Sequence, residues 1–122
     1  MSNFNVIFNR GNNFIVRRGY SVSIPKDATV TKSESGYTFI SSYSSGNLNE
    51  YGFLHNENGP AANIGGTTFY ALDGVIHRED GPAIIRGNNY RYLRDGKLHR
   101  EDGPALFWDG RYEWCIDGTF HN

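Results

Sequence analysis

Between residues 52 and 122, hydrophobic and polar positions alternate with a period of two, in short runs interrupted by turn residues. In Arg111-Tyr-Glu-Trp-Cys-Ile116, Tyr112, Trp114 and Ile116 share one face, and Arg111, Glu113 and Cys115 share the other. In Asn89-Tyr-Arg-Tyr-Leu-Arg94, Tyr90 and Tyr92 fall on one face. Such alternation, rich in Tyr and Trp, predicts half-buried β-strands. A helix is excluded here, because no run longer than eight residues lacks a Gly or Pro.

The strands recur. His55, His77, His99 and His121 lie 22 residues apart, and other positions keep the same spacing. Gly59, Gly81 and Gly103 form one column, followed by Pro60, Pro82 and Pro104 and by Ala61, Ala83 and Ala105. Asp73, Asp95 and Asp117 form another, as do Tyr70, Tyr92 and Trp114. The clearest copies read His77-Arg-Glu-Asp-Gly-Pro-Ala83 and His99-Arg-Glu-Asp-Gly-Pro-Ala105; the first, His55-Asn-Glu-Asn-Gly-Pro-Ala61, is degenerate. A period of this length marks an array of stacked units. Each unit carries three turn signals. Gly65-Gly66, Gly87-Asn88 and Asp109-Gly110 tolerate positive φ and suit two-residue hairpins. Asp73-Gly74, Asp95-Gly96 and Asp117-Gly118 mark a second turn, and the Gly-Pro segment a third, in which the Gly is expected to supply an unusual φ. Units that stack equivalently need an even number of reversals, so one of the three is a corner, and the Glu-Asp-Gly-Pro segment is assigned that part. The stacked hairpins are then expected to align Tyr70, Tyr92 and Trp114 in one ladder, and Thr68, Tyr90 and Tyr112 in the next.

The unit Tyr-x-x-Asp-Gly-x-x-His-x-x-x-Gly-Pro-Ala resembles a variant MORN repeat over residues 52–122. The usual His-Gly-x-Gly is replaced by His-Arg-Glu-Asp-Gly-Pro, which makes this a divergent branch. The resemblance implies β-hairpin units serving as a scaffold or binding surface. Similar arrays occur in small phage and bacterial proteins, which extends the expectation to an inhibitor of a host defence system.

Residues 1–50 lack the period but still read as β. Phe4, Val6 and Phe8 alternate, Arg10-Gly-Asn-Asn13 resembles a turn, and Phe14-Ile-Val16 would be the return strand. Gly19–Pro25 and Gly36–Tyr43 read as further strands, with Ser44-Ser-Gly-Asn47 as the turn after the second. An array needs its open end covered, so 1–50 is expected to be an N-terminal β cap, the rival being a separate recognition element. Residues 51–122 hold three 22-residue hairpin repeats, and the two parts form one compact all-β domain. The C-terminal edge has no evident cover and is expected to serve self-association.

Composition narrows the function. The chain of 122 residues has 15% aromatic residues and 15 Gly, which fits short strands and tight turns. Net charge is −1, with 5 basic and 3 acidic residues in 1–50 and 7 basic and 10 acidic in 51–122. A mildly acidic repeat region argues against nonspecific nucleic-acid coating and against a membrane surface. One cysteine, Cys115, allows no internal disulfide, and no basic-then-apolar leader opens the chain, which fits the cytoplasm, or the host cytoplasm for a phage protein.

Several residues invite chemistry. Stacked His77 and His99 suggest a metal, yet a column repeated in every unit is better explained by the unit's own packing. Neighbouring carboxylates in Arg78-Glu79-Asp80 and Arg100-Glu101-Asp102 suggest acid–base work, but adjacent strand residues point apart; the turn is expected to use Asp on backbone N–H groups and Arg across units. No nucleophile motif or phosphate loop is present, so neither enzyme, metal nor cofactor is expected. The aromatic columns are expected to be core. If one is instead exposed, Tyr90, Tyr112 and Trp114 with Arg91, Arg94 and Arg111 would make an interface of the residue types enriched in binding hot spots. The expected function is then noncatalytic binding of another protein, with a nucleotide binder or a plain scaffold as alternatives.

Overall fold

The computed structural model describes residues 15–121, so the readings on Phe4 to Phe14 lie outside the described residues. No helix occurs among the described residues, and none is long and apolar enough to cross a membrane. The fold is all-β, and every pair of strands is antiparallel.

A meander opens the sheet: β1 (Thr29–Lys32), β2 (Gly36–Ile40) and β3 (Ser44–Asn49). Then come β4 (Ala62–Ile64) and β5 (Thr67–Phe69), joined by Gly65 and Gly66 at φ +58° and +94°. A smaller hairpin follows, β6 (Ala71–Leu72) with β7 (Val75–Ile76), closed by Asp73 and Gly74 at +48° and +83°. The order recurs with β8 (Ile84–Arg86), β9 (Asn89–Arg91), β10 (Leu93–Arg94) and β11 (Lys97–Leu98). It recurs again with β12 (Leu106–Trp108), β13 (Arg111–Ile116) and β14 (Thr119–His121). Positive φ at both central residues, as at Asp109 (+51°) and Gly110 (+83°), matches hairpin twist to strand twist.

Among the described residues the main sheet has ten strands in the order β1-β2-β3-β4-β5-β8-β9-β12-β13-β14, while β6–β7 and β10–β11 form separate pairs. The small-hairpin turns are bound to the segments 20 residues before them: Gly74, Gly96 and Gly118 donate their N–H groups to the carbonyls of Leu54, Ile76 and Leu98 at 2.8, 2.9 and 2.8 Å. Between the layers lie Leu54, Ile76, Ala71 and Leu93, all buried, together with Ala61, Ala83 and Ala105 at 0% exposure. Those alanines immediately precede the sheet strands β4, β8 and β12.

One face of the main sheet carries the cross-strand row Phe39, Gly46, Ala62, Phe69, Ile84, Arg91, Leu106 and Glu113. Val22 and Ile24, buried, belong to the same apolar cluster as Phe39, Phe69 and Ile84. The opposite, outer face carries Ile40, Ser45, Asn63, Thr68, Ile85, Tyr90, Phe107 and Tyr112.

Three local expectations need correction. Ser44-Ser-Gly-Asn47 is strand, not turn; the reversal falls at 41–43, where the Ser41 N–H bonds the Ser44 carbonyl at 2.8 Å. Gly46 is needed for close approach, since a Cβ there would meet the Phe39 ring at 2.6 Å and the Ala62 Cβ at 2.8 Å. Residues 19–25 form no strand beyond a single bridge position, and β1 at Thr29–Lys32 had no counterpart in the reading of the sequence.

Candidate functional site

The repeated His-Arg-Glu-Asp-Gly-Pro segment is a self-contained corner. The Asp73, Asp95 and Asp117 N–H groups donate to Nδ1 of His55, His77 and His99 at 2.9, 2.8 and 3.0 Å. A backbone N–H can only donate, so Nδ1 is the acceptor and the remaining ring proton sits on Nε2. Nε2 faces the carboxylates of Glu57, Glu79 and Glu101 at 3.5, 2.7 and 3.4 Å. Each histidine therefore ties its corner to the small-hairpin turn 18 residues on. Among the described residues no group of three or more His, Cys, Asp or Glu side chains is placed to hold a metal ion.

Arg78 donates to Asp80 Oδ1 at 3.1 Å and to the Pro82 carbonyl at 3.1 Å, and its guanidinium lies 3.9 Å from the Tyr70 ring centre. Arg100 repeats this with Asp102, Pro104 and Tyr92 at 3.0, 3.1 and 4.1 Å. Burial pulls against the Arg100 charge, but the bonded Asp102 carboxylate and the Tyr92 hydroxyl outweigh it and raise its pKa above the ordinary value. These pairs lie within one corner rather than across units, and Asp80 and Asp102 bind the arginine instead of backbone N–H groups. Arginines that bond beyond their own segment are Arg86, to the Gly65 carbonyl and Thr67 Oγ1 at 2.9 and 2.8 Å, Arg94, to Asp117 at 3.4 Å, and Arg18 of the N-terminal part, to Asp95 at 3.0 Å. The corner glycines also differ from expectation. Gly59, Gly81 and Gly103 have no positive φ. A Cβ at Gly81 or Gly103 would instead meet the arginine Cζ at 2.9 Å. At Gly59 nothing lies within 4 Å, because Asn56 replaces the arginine and only its amide reaches Pro60.

The outer aromatic face is the other feature. Tyr90 touches Tyr92 edge-on at 5.4 Å and Phe107 at 5.9 Å; Phe107 touches Tyr112 at 4.7 Å, and Tyr112 reaches Trp114 at 6.4 Å. Tyr112 is 56% and Trp114 41% exposed, while Tyr90 and Tyr92 are half-buried. The expected aromatic core is thus overturned at β13, where Cys115 and not Tyr112 or Trp114 points inward. Phe107, unforeseen from the sequence, is the ring that links Tyr90 to Tyr112. It sits at the middle position of a three-residue strand, level with Asn63 and Ile85 of earlier units, where the preceding copies gave no aromatic signal.

The expected arginines do not gather there. Arg91 lies on the other face, between the rings of Tyr20 (5.0 Å) and Trp108 (4.3 Å). Arg111 alternates away from Tyr112 and bonds Glu113 at 2.9 Å. Arg94 sits beside the second-layer turn, against Asp117. Grooves run along the corners and the N-terminal strands; Tyr92 lines one of them, beside Arg78, Arg94 and Arg100. Cys115 is fully buried; burial first, and the Glu113 carboxylate second, push its thiol pKa up, opposite to what a reactive cysteine needs.

Comparison of the chain with protein-family models, with curated proteins and with solved structures gives no match.

Proposed function

We propose that this chain is a noncatalytic binding protein, a divergent MORN-type hairpin array capped by residues 1–50, whose outer aromatic face engages another protein. The observation that carries the reading is the run of five rings in contact, Tyr90, Tyr92, Phe107, Tyr112 and Trp114, two of them exposed. Contiguous exposed aromatics are uncommon on monomer surfaces, and Tyr and Trp dominate interface hot spots. A small ligand needs a concave site to bury most of its surface, and Tyr112 and Trp114 line none of the grooves along the corners and the N-terminal strands. The recurrence of hairpin and corner every 22 residues, each unit held by its histidine, supports the array. The likeness to phage and bacterial arrays extends the proposal to inhibition of a host defence protein in the host cytoplasm, with self-association through the C-terminal edge as a second contact. The test is affinity capture with wild type and with a Tyr112→Ser/Trp114→Ser double variant. A partner held by wild type alone supports the aromatic face, and equal capture by both contradicts it.

A further inference from the structure

The first corner departs from the other two at two positions. It has Asn56 where Arg78 and Arg100 stand, and Asn58 where Asp80 and Asp102 stand. In the later corners the carboxylate is held: Asp80 and Asp102 accept from the arginine Nε–H at 3.1 and 3.0 Å. In the first corner Asn58 is exposed, its backbone N–H donates to Asn56 Oδ1 at 2.9 Å, and its side-chain amide has no hydrogen-bond partner among the described residues. Asn58-Gly59 is also the sole Asn-Gly pair in the sequence. A Cβ at Gly59 would meet nothing within 4 Å, and the Gly59 N–H has no partner among the described residues. Without a side chain, that backbone is free to turn its nitrogen toward the preceding residue.

The same chain holds the contrasting cases. Gly74, Gly96 and Gly118 each follow an Asp, and each donates its N–H to a carbonyl at 2.8, 2.9 and 2.8 Å, which holds the nitrogen in place. Their neighbours are ionised at neutral pH, and a carboxylate is a far poorer electrophile than an amide. We propose that Asn58 is a site of spontaneous covalent modification, where the side-chain amide becomes a carboxylate through a cyclic imide with Gly59. The Gly59 nitrogen bonds to Asn58 Cγ and gives up its proton. The Cγ–Nδ2 bond breaks, and ammonia leaves with that proton. Water then opens the ring. Attack at Cγ gives aspartate; attack at the main-chain carbonyl gives isoaspartate, with the chain running through the former side chain. Either product adds one negative charge to a chain of net charge −1, in the groove that Asn58 shares with Glu57, Tyr70 and Arg78. The backbone bonds that flank the corner, Asn56 N–H to the Ala71 carbonyl at 3.1 Å and Ala61 N–H to the Phe69 carbonyl at 2.8 Å, lie outside the reacting pair. The site involves none of the rings of the aromatic run, so it stands or falls independently of that surface.

The test is peptide mapping of the folded full chain after incubation at mildly alkaline pH, with fragmentation that separates aspartate from isoaspartate. Wild type and Gly59→Ala are followed together, with Asn63, Asn88 and Asn89 as references in the same digests. The expected result is conversion of Asn58 ahead of the reference asparagines, with isoaspartate the larger product. In Gly59→Ala the conversion should slow by roughly an order of magnitude, because a methyl group crowds the attacking nitrogen and restricts its backbone. Conversion of Asn58 no faster than the references, or at the same rate in Gly59→Ala, overturns the proposal. Aspartate without isoaspartate also overturns it, since that outcome marks direct hydrolysis of the amide by water.

Discussion

At the scale of single residues, histidines 55, 77 and 99 act as acceptors for a backbone N–H of the next small hairpin, and that use accounts for their spacing. Replacing His77 with Ala strands the Asp95 N–H and frees Glu79. The expected loss is about 0.5–1.5 kcal/mol, since the Asp95 N–H is exposed and can turn to water, read from urea unfolding, and an unchanged midpoint contradicts the assignment. Cys115 gives the pH prediction. Its pKa is raised in the folded chain, by burial before the Glu113 carboxylate, so the native state keeps a proton that the unfolded chain loses. Stability from this group is whole below the ordinary thiol pKa of about 8.5 and is lost as pH rises beyond it toward the folded value. The unfolding midpoint should therefore fall on the alkaline side of pH ~8.5, more steeply for wild type than for Cys115→Ala. Matching slopes would show that the thiol is not the cause.

At the scale of elements, the corner makes a comparison within one chain. Gly81 faces a guanidinium at 2.9 Å, whereas Gly59 faces open space, and neither has positive φ. Gly81→Ala must displace the Arg78 guanidinium, the end of a flexible side chain, and is expected to cost about 0.5–1.5 kcal/mol through its bonds to Asp80 and Pro82. Gly59→Ala is expected to be neutral or to stabilise by about 0.4–1 kcal/mol, because it narrows the unfolded ensemble. Equal effects in thermal unfolding would remove the steric account. The same contrast shows what the sequence could reveal. The Asp-Gly and Gly-Gly reversals were legible because positive φ is a local demand written in two adjacent residues. The role of Gly46 was not, since it depends on Phe39 and Ala62 from other strands. Alternation told which residues of β13 share a face, but not which face is inside. The signal that settles this was present in the invariantly small Ala61, Ala83 and Ala105, which are fully buried. The candidate site was legible in part: Tyr90, Tyr112 and Trp114 do lie together, while the arginines expected beside them are dispersed by strand alternation and by the path of residues 15–20 across the second layer.

At the scale of the whole molecule, the outer face changes character along its length. Ser45, Asn63 and Thr68 give way to Ile85, Tyr90, Phe107 and Tyr112, while the inner face runs the opposite way, from Phe39 and Phe69 to Arg91 and Glu113. Exposed positions at equivalent places are free to differ, so rings in mutual contact gather toward β9–β13, while the far end shows Ile40, Tyr43 and Tyr51 singly exposed. Neither Tyr112 nor Trp114 belongs to the buried core: they are 56% and 41% exposed and pack on Phe107 and on each other at the surface. Tyr112→Ser/Trp114→Ser should therefore unfold close to wild type. The most direct test is quantitative affinity capture from a bacterial lysate by wild type and by this folded double variant, read by mass spectrometry. The account predicts one stoichiometric protein retained by wild type and lost by the variant. Retention of that protein by both, or capture of none, would contradict it.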